Sequence, residues 1–190
     1  MNIALKIVAV VVVGTFLGLF ATWAIAVRGN MPGGVADGPW KTDLAIGSPQ
    51  GDPYTRASVA IHGLFALNRS ETVYYTATTD ADGNALDGSC QYEITGSDPD
   101  ARWWSITAYG PDDFLIPSPG NHFSVAKTTV ARGADANFNI TVGGAPKSFN
   151  WIATGAGSFS LTLRLYNPGP TVQLDPGNAV LPRLAKVSCS

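Results

Sequence analysis

Phe159-Ser160-Leu161-Thr162-Leu163-Arg164-Leu165-Tyr166 is the stretch on which the fold turns. Phe159, Leu161, Leu163 and Leu165 alternate with Ser160, Thr162, Arg164 and Tyr166, the two-residue period of a strand buried on one face. A helix of this composition would scatter the leucines around its axis. The same period recurs upstream, where Phe138, Ile140 and Val142 alternate with Asn137, Asn139 and Thr141. Trp104, Ile106 and Ala108 share one face against Trp103, Ser105 and Thr107, and Cys90, Tyr92 and Ile94 share another. Asp82-Gly83, Asp87-Gly88, Asp98-Pro99, Gly110-Pro111, Gly143-Gly144 and Pro168-Gly169 punctuate these runs with turn chemistry. Many short strands with no helices between them predict a mainly β chain, an antiparallel β-sandwich or barrel.

Upstream of Thr72 the period is helical. Asp52-Pro53 is a helix-start signature, and Tyr54, Ala57, Ser58, Ile61, Leu64 and Phe65 follow at the spacing of a stripe that must lie on a core. One leading helix therefore precedes the strands, and residues 52–190 read as a single β-sandwich domain. Residues 29–51 are rich in Gly and Pro and read as a tether, with Trp40 docked on the domain.

Residues 1–28 carry an uncharged apolar run from Ile7 to Val27, fenced by Lys6 and Arg28. About 20 residues suffice for a helix to cross the hydrocarbon core of a bilayer. Ala24-Ile25-Ala26 fits a signal-cleavage site, but the run is longer than a secretory core and holds the bulky Phe16, Leu17, Leu19 and Phe20 beside Gly14 and Gly18, with Trp23 placed as an interfacial anchor. An uncleaved anchor is the favoured reading over cleavage after Ala26. Gly14 and Gly18 form a Gly-x-x-x-Gly pair that permits close helix approach in lipid.

The charges flanking the run are nearly balanced, so the cysteines decide the orientation. Cys90 and Cys189 are the only two in the chain, an even count outside the membrane segment, and they read as one disulfide on the oxidising side. The net charge of −2 with scattered Lys and Arg offers no basic stripe, which excludes nucleic acid as an expected partner.

Several phrases, taken in order, carry a resemblance: Asn68-Arg69-Ser70 before Thr72-Val73-Tyr74-Tyr75, then Leu86-Asp87-Gly88, then Trp103 to Tyr109, then Asn150-Trp151-Ile152, then Phe159 to Tyr166. From about Tyr54 onward the chain resembles the bacterial domain-of-unknown-function 1214 family. That resemblance implies a jelly-roll-like sandwich and an exported or envelope setting, and it brings no established catalytic residues. The companion 1254 domain that precedes it in many relatives has no counterpart here.

Chemistry is sparse. The chain has two histidines, His62 and His122, where a catalytic metal site typically takes three protein ligands. His62, beside Ile61 on the helix, reads as structural. His122 in Pro119-Gly120-Asn121-His122 is the more interesting, with Asp112 or Asp113 as neighbours. No Gly-x-Ser-x-Gly elbow occurs. Asp98 with Asp100, and Asp112 with Asp113, sit in Pro-containing turns and read as turn formers before they read as acid and base. Two Asn-x-Ser/Thr sites, at Asn68 and Asn139, are incidental in a bacterial protein. Trp103 and Tyr109, on the face opposite Trp104, are the one hint of ligand contact, since exposed aromatics stack sugar rings or partner surfaces; the competing reading is a second buried layer.

The expected protein is a single-pass envelope protein of the bacterial inner membrane, its sandwich in the periplasm. It binds or supports an envelope protein or a carbohydrate, with Trp103, Tyr109, His122, Asp112 and Asp113 as candidate ligand contacts. No metal, cofactor or catalytic residue is assigned. The alternative is a carbohydrate-active or ester-hydrolysing jelly-roll enzyme built on His122 and Asp112 or Asp113.

Overall fold

The alternating segments assemble into two sheets in the computed structural model of the chain, which describes residues 2–28, 34–49, 51–61, 67–118, 120, 122–144 and 149–189. The first sheet has the order β1 (Gly34–Asp37), β2 (Trp40–Asp43), β3 (Thr72–Ala77), β9 (Ser160–Pro168), β5 (Ala101–Tyr109) and β6 (Ser124–Ala126). The second has the order β10 (Arg183–Cys189), β4 (Cys90–Gly96), β7 (Phe138–Gly143) and β8 (Trp151–Ala153). The helices are α1 (Ile3–Arg28), α2 (Pro53–Ile61) and the short α3 (Pro170–Leu174).

The leucines of β9 do what their spacing demands. Leu161, Leu163 and Leu165 are fully buried with Trp104, Ile106 and Ala108 of β5, and they meet Ile94, Ile140 and Val142 of the second sheet in one core. Aromatic rings stitch the layers together, Trp104 to Phe138 at 5.0 Å between centroids and Tyr92 to Phe159 at 5.7 Å. Each such side chain contributes roughly 1.5–3 kcal/mol by leaving water, so a dozen of them fix which face of every strand points inward.

Cys90 and Cys189 are joined, and they stand opposite each other in the β4–β10 register. Trp40 is buried and its indole N–H donates to the Pro182 carbonyl at 2.7 Å. Gly88 of Asp87-Gly88 needs its missing side chain, because a Cβ there would strike the Gly155 carbonyl.

Three expectations are corrected. The stretch read as a tether contains a β-hairpin: Gly34 to Asp37 pairs with Trp40 to Asp43, turning at Gly38 with φ +57°, and β2 continues onto β3. Strands this short form because a sheet edge is waiting to receive them. The leading helix is present and Asp52 caps it, its Oδ1 accepting from the Tyr54 and Thr55 amides at 2.7 and 2.9 Å. Its buried face, however, is Thr55 and Ser58, while Tyr54 and Ile61 stay 44% and 52% exposed. Leu64, Phe65 and His62 lie outside the described residues. Finally, β7 and β8 pair in parallel. Thr141, Val142 and Gly143 stand opposite Trp151, Ile152 and Ala153 in that pairing.

The N-terminal helix has a 23-residue segment, Ile3–Ile25, with mean hydropathy 2.5, long and apolar enough to cross a membrane. Of its residues with described side chains, Ala24 alone is not exposed.

Candidate functional site

The first sheet's outer face holds the candidate site. Strand register arranges it in rows: Thr72, Tyr166 and Trp103; then Tyr74, Arg164 and Ser105; then Thr76, Thr162 and Thr107; then Ser160 and Tyr109. Each row lies about 7 Å from the next. The Trp103 ring packs against Tyr166 at 5.1 Å, and its indole N–H reaches the Thr128 hydroxyl at 3.4 Å. Tyr109 is two rows away from Arg164, yet Arg164 Nη2 donates to its hydroxyl at 2.7 Å. The guanidinium thus bridges the row between, above Thr162 and Thr107, which are only 5% and 7% exposed.

Arg164 is held from two sides. Its guanidinium carbon lies 5.3 Å from the Tyr109 ring centre and 6.0 Å from that of Tyr74. Among the described residues the ion pairs are Asp98 with Arg132 and Asp80 with Lys186, so Arg164 has no carboxylate partner there. Burial pushes the Tyr74 phenol up, against a hydrogen bond from the Leu67 backbone, so the phenol stays protonated at neutral pH and does not neutralise Arg164. The face offers an uncompensated positive charge flanked by π-surfaces.

Beside Tyr74 lies a notch lined by Thr42, Asp43, Arg69 and Thr72, with space on the order of one water. Asp43 Oδ1 accepts from the Ala45 amide at 2.7 Å, while its buried Oδ2 has no hydrogen-bond partner among the described residues.

The five predicted contacts divide. Trp103 and Tyr109 share the outer face of β5 through their alternation, both half-buried. Asp112 Oδ1 accepts from the Phe114 amide at 3.2 Å within its own turn, and Asp113 adopts the left-handed conformation at φ 62° there. His122 stacks on Trp151 of the second sheet at 5.0 Å, and its carbonyl accepts from Ala153. No hydrogen bond, ion pair or ring contact among the described residues joins His122 to either acid, or the acids to Trp103 or Tyr109. Among the described residues, no three His, Cys, Asp or Glu side chains gather into a group that could hold a metal.

Sequence reasoning missed Arg164, Tyr166 and Tyr74. Their signal was in the pattern, as residues of two apolar strands that alternate with the core positions, but adjacency needed the cross-strand register. The turn acids, by contrast, have structural work. Asp98 Oδ1 accepts from the Trp104 indole at 3.0 Å and from Arg132 at 2.8 Å. Asp80 is 2% exposed, accepts from the amides of Asp82 and Asn84, and pairs with Lys186 at 3.1 Å. Asn150 closes another loop, accepting from the Ala131 amide and donating to the carbonyls of Ala131 and Asn139.

Comparison with known proteins agrees with this architecture. The chain superposes on the crystal structure of the VPA0106 protein from Vibrio parahaemolyticus with TM-score 0.61 and 22% identity, over 73% of this chain and 36% of that one. An uncharacterized protein from Burkholderia cenocepacia aligns at 16% identity and TM-score 0.43, over 75% of this chain and 45% of that one. The chain therefore spans less than half the length of either structure. No curated protein sequence matches it. A family model for a protein of unknown function, DUF1214, matches residues 71–170, just over half of the chain and the part that carries β3 through β9. Strands β3 to β9, most of the core and the aromatic outer face fall in that match, and the chain belongs to the DUF1214 family.

Proposed function

We propose that this chain is a single-pass protein of the bacterial inner membrane, held by α1 with its sandwich in the periplasm, and that it binds a ligand and catalyses nothing. The observation that carries the binding reading is Arg164, a charge between two tyrosines without a carboxylate partner among the described residues, on the same face as the Trp103–Tyr166 ring pair. A guanidinium recognises carboxylates in a planar, directional way, and aromatic rings stack sugar faces. The chemistry fits a carbohydrate bearing an acidic group. The disulfide supports an oxidising compartment. Catalysis has less support, because Asp112 is engaged in its own turn and His122 with Trp151.

Titration of the full-length protein in detergent with oligogalacturonate, against a neutral maltooligosaccharide, tests the reading through tryptophan emission. Saturable binding of the acidic sugar is expected, weakened about tenfold or more in Arg164→Ala and unchanged in Asp112→Asn. Binding that ignores Arg164→Ala, or no preference for the acidic sugar, removes this reading. Turnover that vanishes in His122→Ala would restore the enzyme alternative.

A further inference from the structure

Helix α2 has its polarity reversed. On a helical wheel its buried arc is Thr55, Ser58 and the half-buried Val59, whereas Pro53, Tyr54, Ala60 and Ile61 are exposed, with half-buried Ala57 among them and exposed Arg56 at the flank. A helix that turns hydroxyls inward and a tyrosine and an isoleucine outward is poorly matched to water on its outer side.

The fold says what lies there. Gly34 pairs with Asp43, and Asp43 leads through a short loop into α2, which leads back to Thr72 at the start of β3. The chain's entry from α1, helix α2 and the Thr72 end of the sheet therefore gather at one end of the molecule. Leu174, 82% exposed, follows from the same end of β9. The loop after β5, with Phe114, lies at the opposite end. Moreover α2 lies alongside α1, and Ala24, near the end of the apolar segment, is the one residue of α1 with a described side chain that is not exposed.

We infer that α2 is an interfacial helix, lying on the bilayer surface beside the exit of α1 with Tyr54 and Ile61 in the lipid and Arg56 toward the headgroups. This rests on the reading of α1 as a membrane span. The occupant is lipid and not a protein because the apolar face is continuous with the end of the span, and because the residues between Arg28 and Gly34 allow a separation of at most roughly 20 Å. A tyrosine and an arginine beside an apolar patch are the residue types that settle at the headgroup boundary.

The test uses full-length protein in phosphatidylethanolamine/phosphatidylglycerol vesicles, carrying one environment-sensitive fluorophore on Ile61→Cys, on Phe114→Cys, or on Val12→Cys in α1. The Ile61 label is expected to emit to the blue of the Phe114 label. It should lose intensity most with lipids bearing a nitroxide near the headgroup, as for a residue roughly 5–10 Å below that boundary. The Phe114 label should respond only to aqueous iodide. An Ile61 label that iodide quenches like Phe114, or that is shielded from iodide and nitroxide lipid alike, overturns the inference; the second pattern means a protein covers the face. The Val12 label separates the two claims. If mid-chain nitroxide lipids quench it, the span stands whatever Ile61 reports, and if they do not, the span and the interfacial helix fall together.

Discussion

Single side chains decide more of this fold than their composition hinted. Asp80 is an exposed-looking acid in the turn Asp80-Ala81-Asp82-Gly83-Asn84, yet it is buried, accepting from two amides, the Asn84 side chain and Lys186. Burial pushes its carboxyl up, but Lys186, Asn84 and the Asp82 amide together pull it below the usual carboxylate range. A carboxyl depressed in the folded state adds stability that is complete above the unfolded value of about 3.9. That contribution is lost as pH falls through the lower folded value. Asp80→Ala should therefore lower urea-unfolding stability by about 1.5–3 kcal/mol at pH 7. It should also flatten the loss of stability that the parent shows below pH of about 4. A variant as stable as the parent, with the same acid limb, would show that the turn holds without its carboxylate. Leu161, Leu163 and Leu165 were legible from spacing alone because burial is one residue's property. Arg164 was not, because its role depends on Tyr74 and Tyr109, which its own strand does not contain.

At the level of elements, the sequence reads best where a strand or helix is specified by itself. Asp52 and Pro53 announce α2, and β5, β7 and β9 announce themselves by period. The hairpin at Gly34 to Asp43 was hidden, since its strands acquire their identity from β3. The hidden face of α2 is a similar case, for a helical stripe shows that one side differs and not which side meets protein. The last strand depends on a covalent tie. β10 is an edge strand paired only with β4, and the Cys90–Cys189 bond closes a separation of 99 residues at its end. Replacing both cysteines with alanine should cost about 2–4 kcal/mol, with amide exchange in Arg183 to Cys189 accelerating before that of β9. Unchanged protection in β10 would mean that strand pairing and the buried Leu184 hold it unaided.

For the whole molecule, the two-sheet architecture was legible and so was the apolar N-terminal segment, whereas the candidate binding face emerged only from the assembled sheet. A chain delivered and retained as proposed has a definite chemical signature. Intact-mass measurement on protein from its native membrane should give the full-length chain, with both thiols blocked to alkylation until reduction. A chain beginning at Val27 would mean a released protein, and thiols labelled without reduction would place the domain in a reducing compartment. The Asp43 Oδ2 and Arg164, which among the described residues have no hydrogen-bond partner and no carboxylate partner respectively, make the same point about reading function. Unsatisfied groups show up only once every neighbour is in place.

The hairpin that replaces the expected tether has one more consequence. With β1 already sewn into the sheet and Trp40 pinned to the Pro182 carbonyl, only the few residues between Arg28 and Gly34 separate α1 from the first strand. If α1 holds the chain in the membrane as proposed, a domain joined to it this closely samples a thin layer of space, not a volume, and its encounters with anything else held in that layer would occur at an effective concentration on the order of millimolar. Weak recognition by the outer face, useless for a ligand diluted in bulk, would be sufficient for one confined to the same surface.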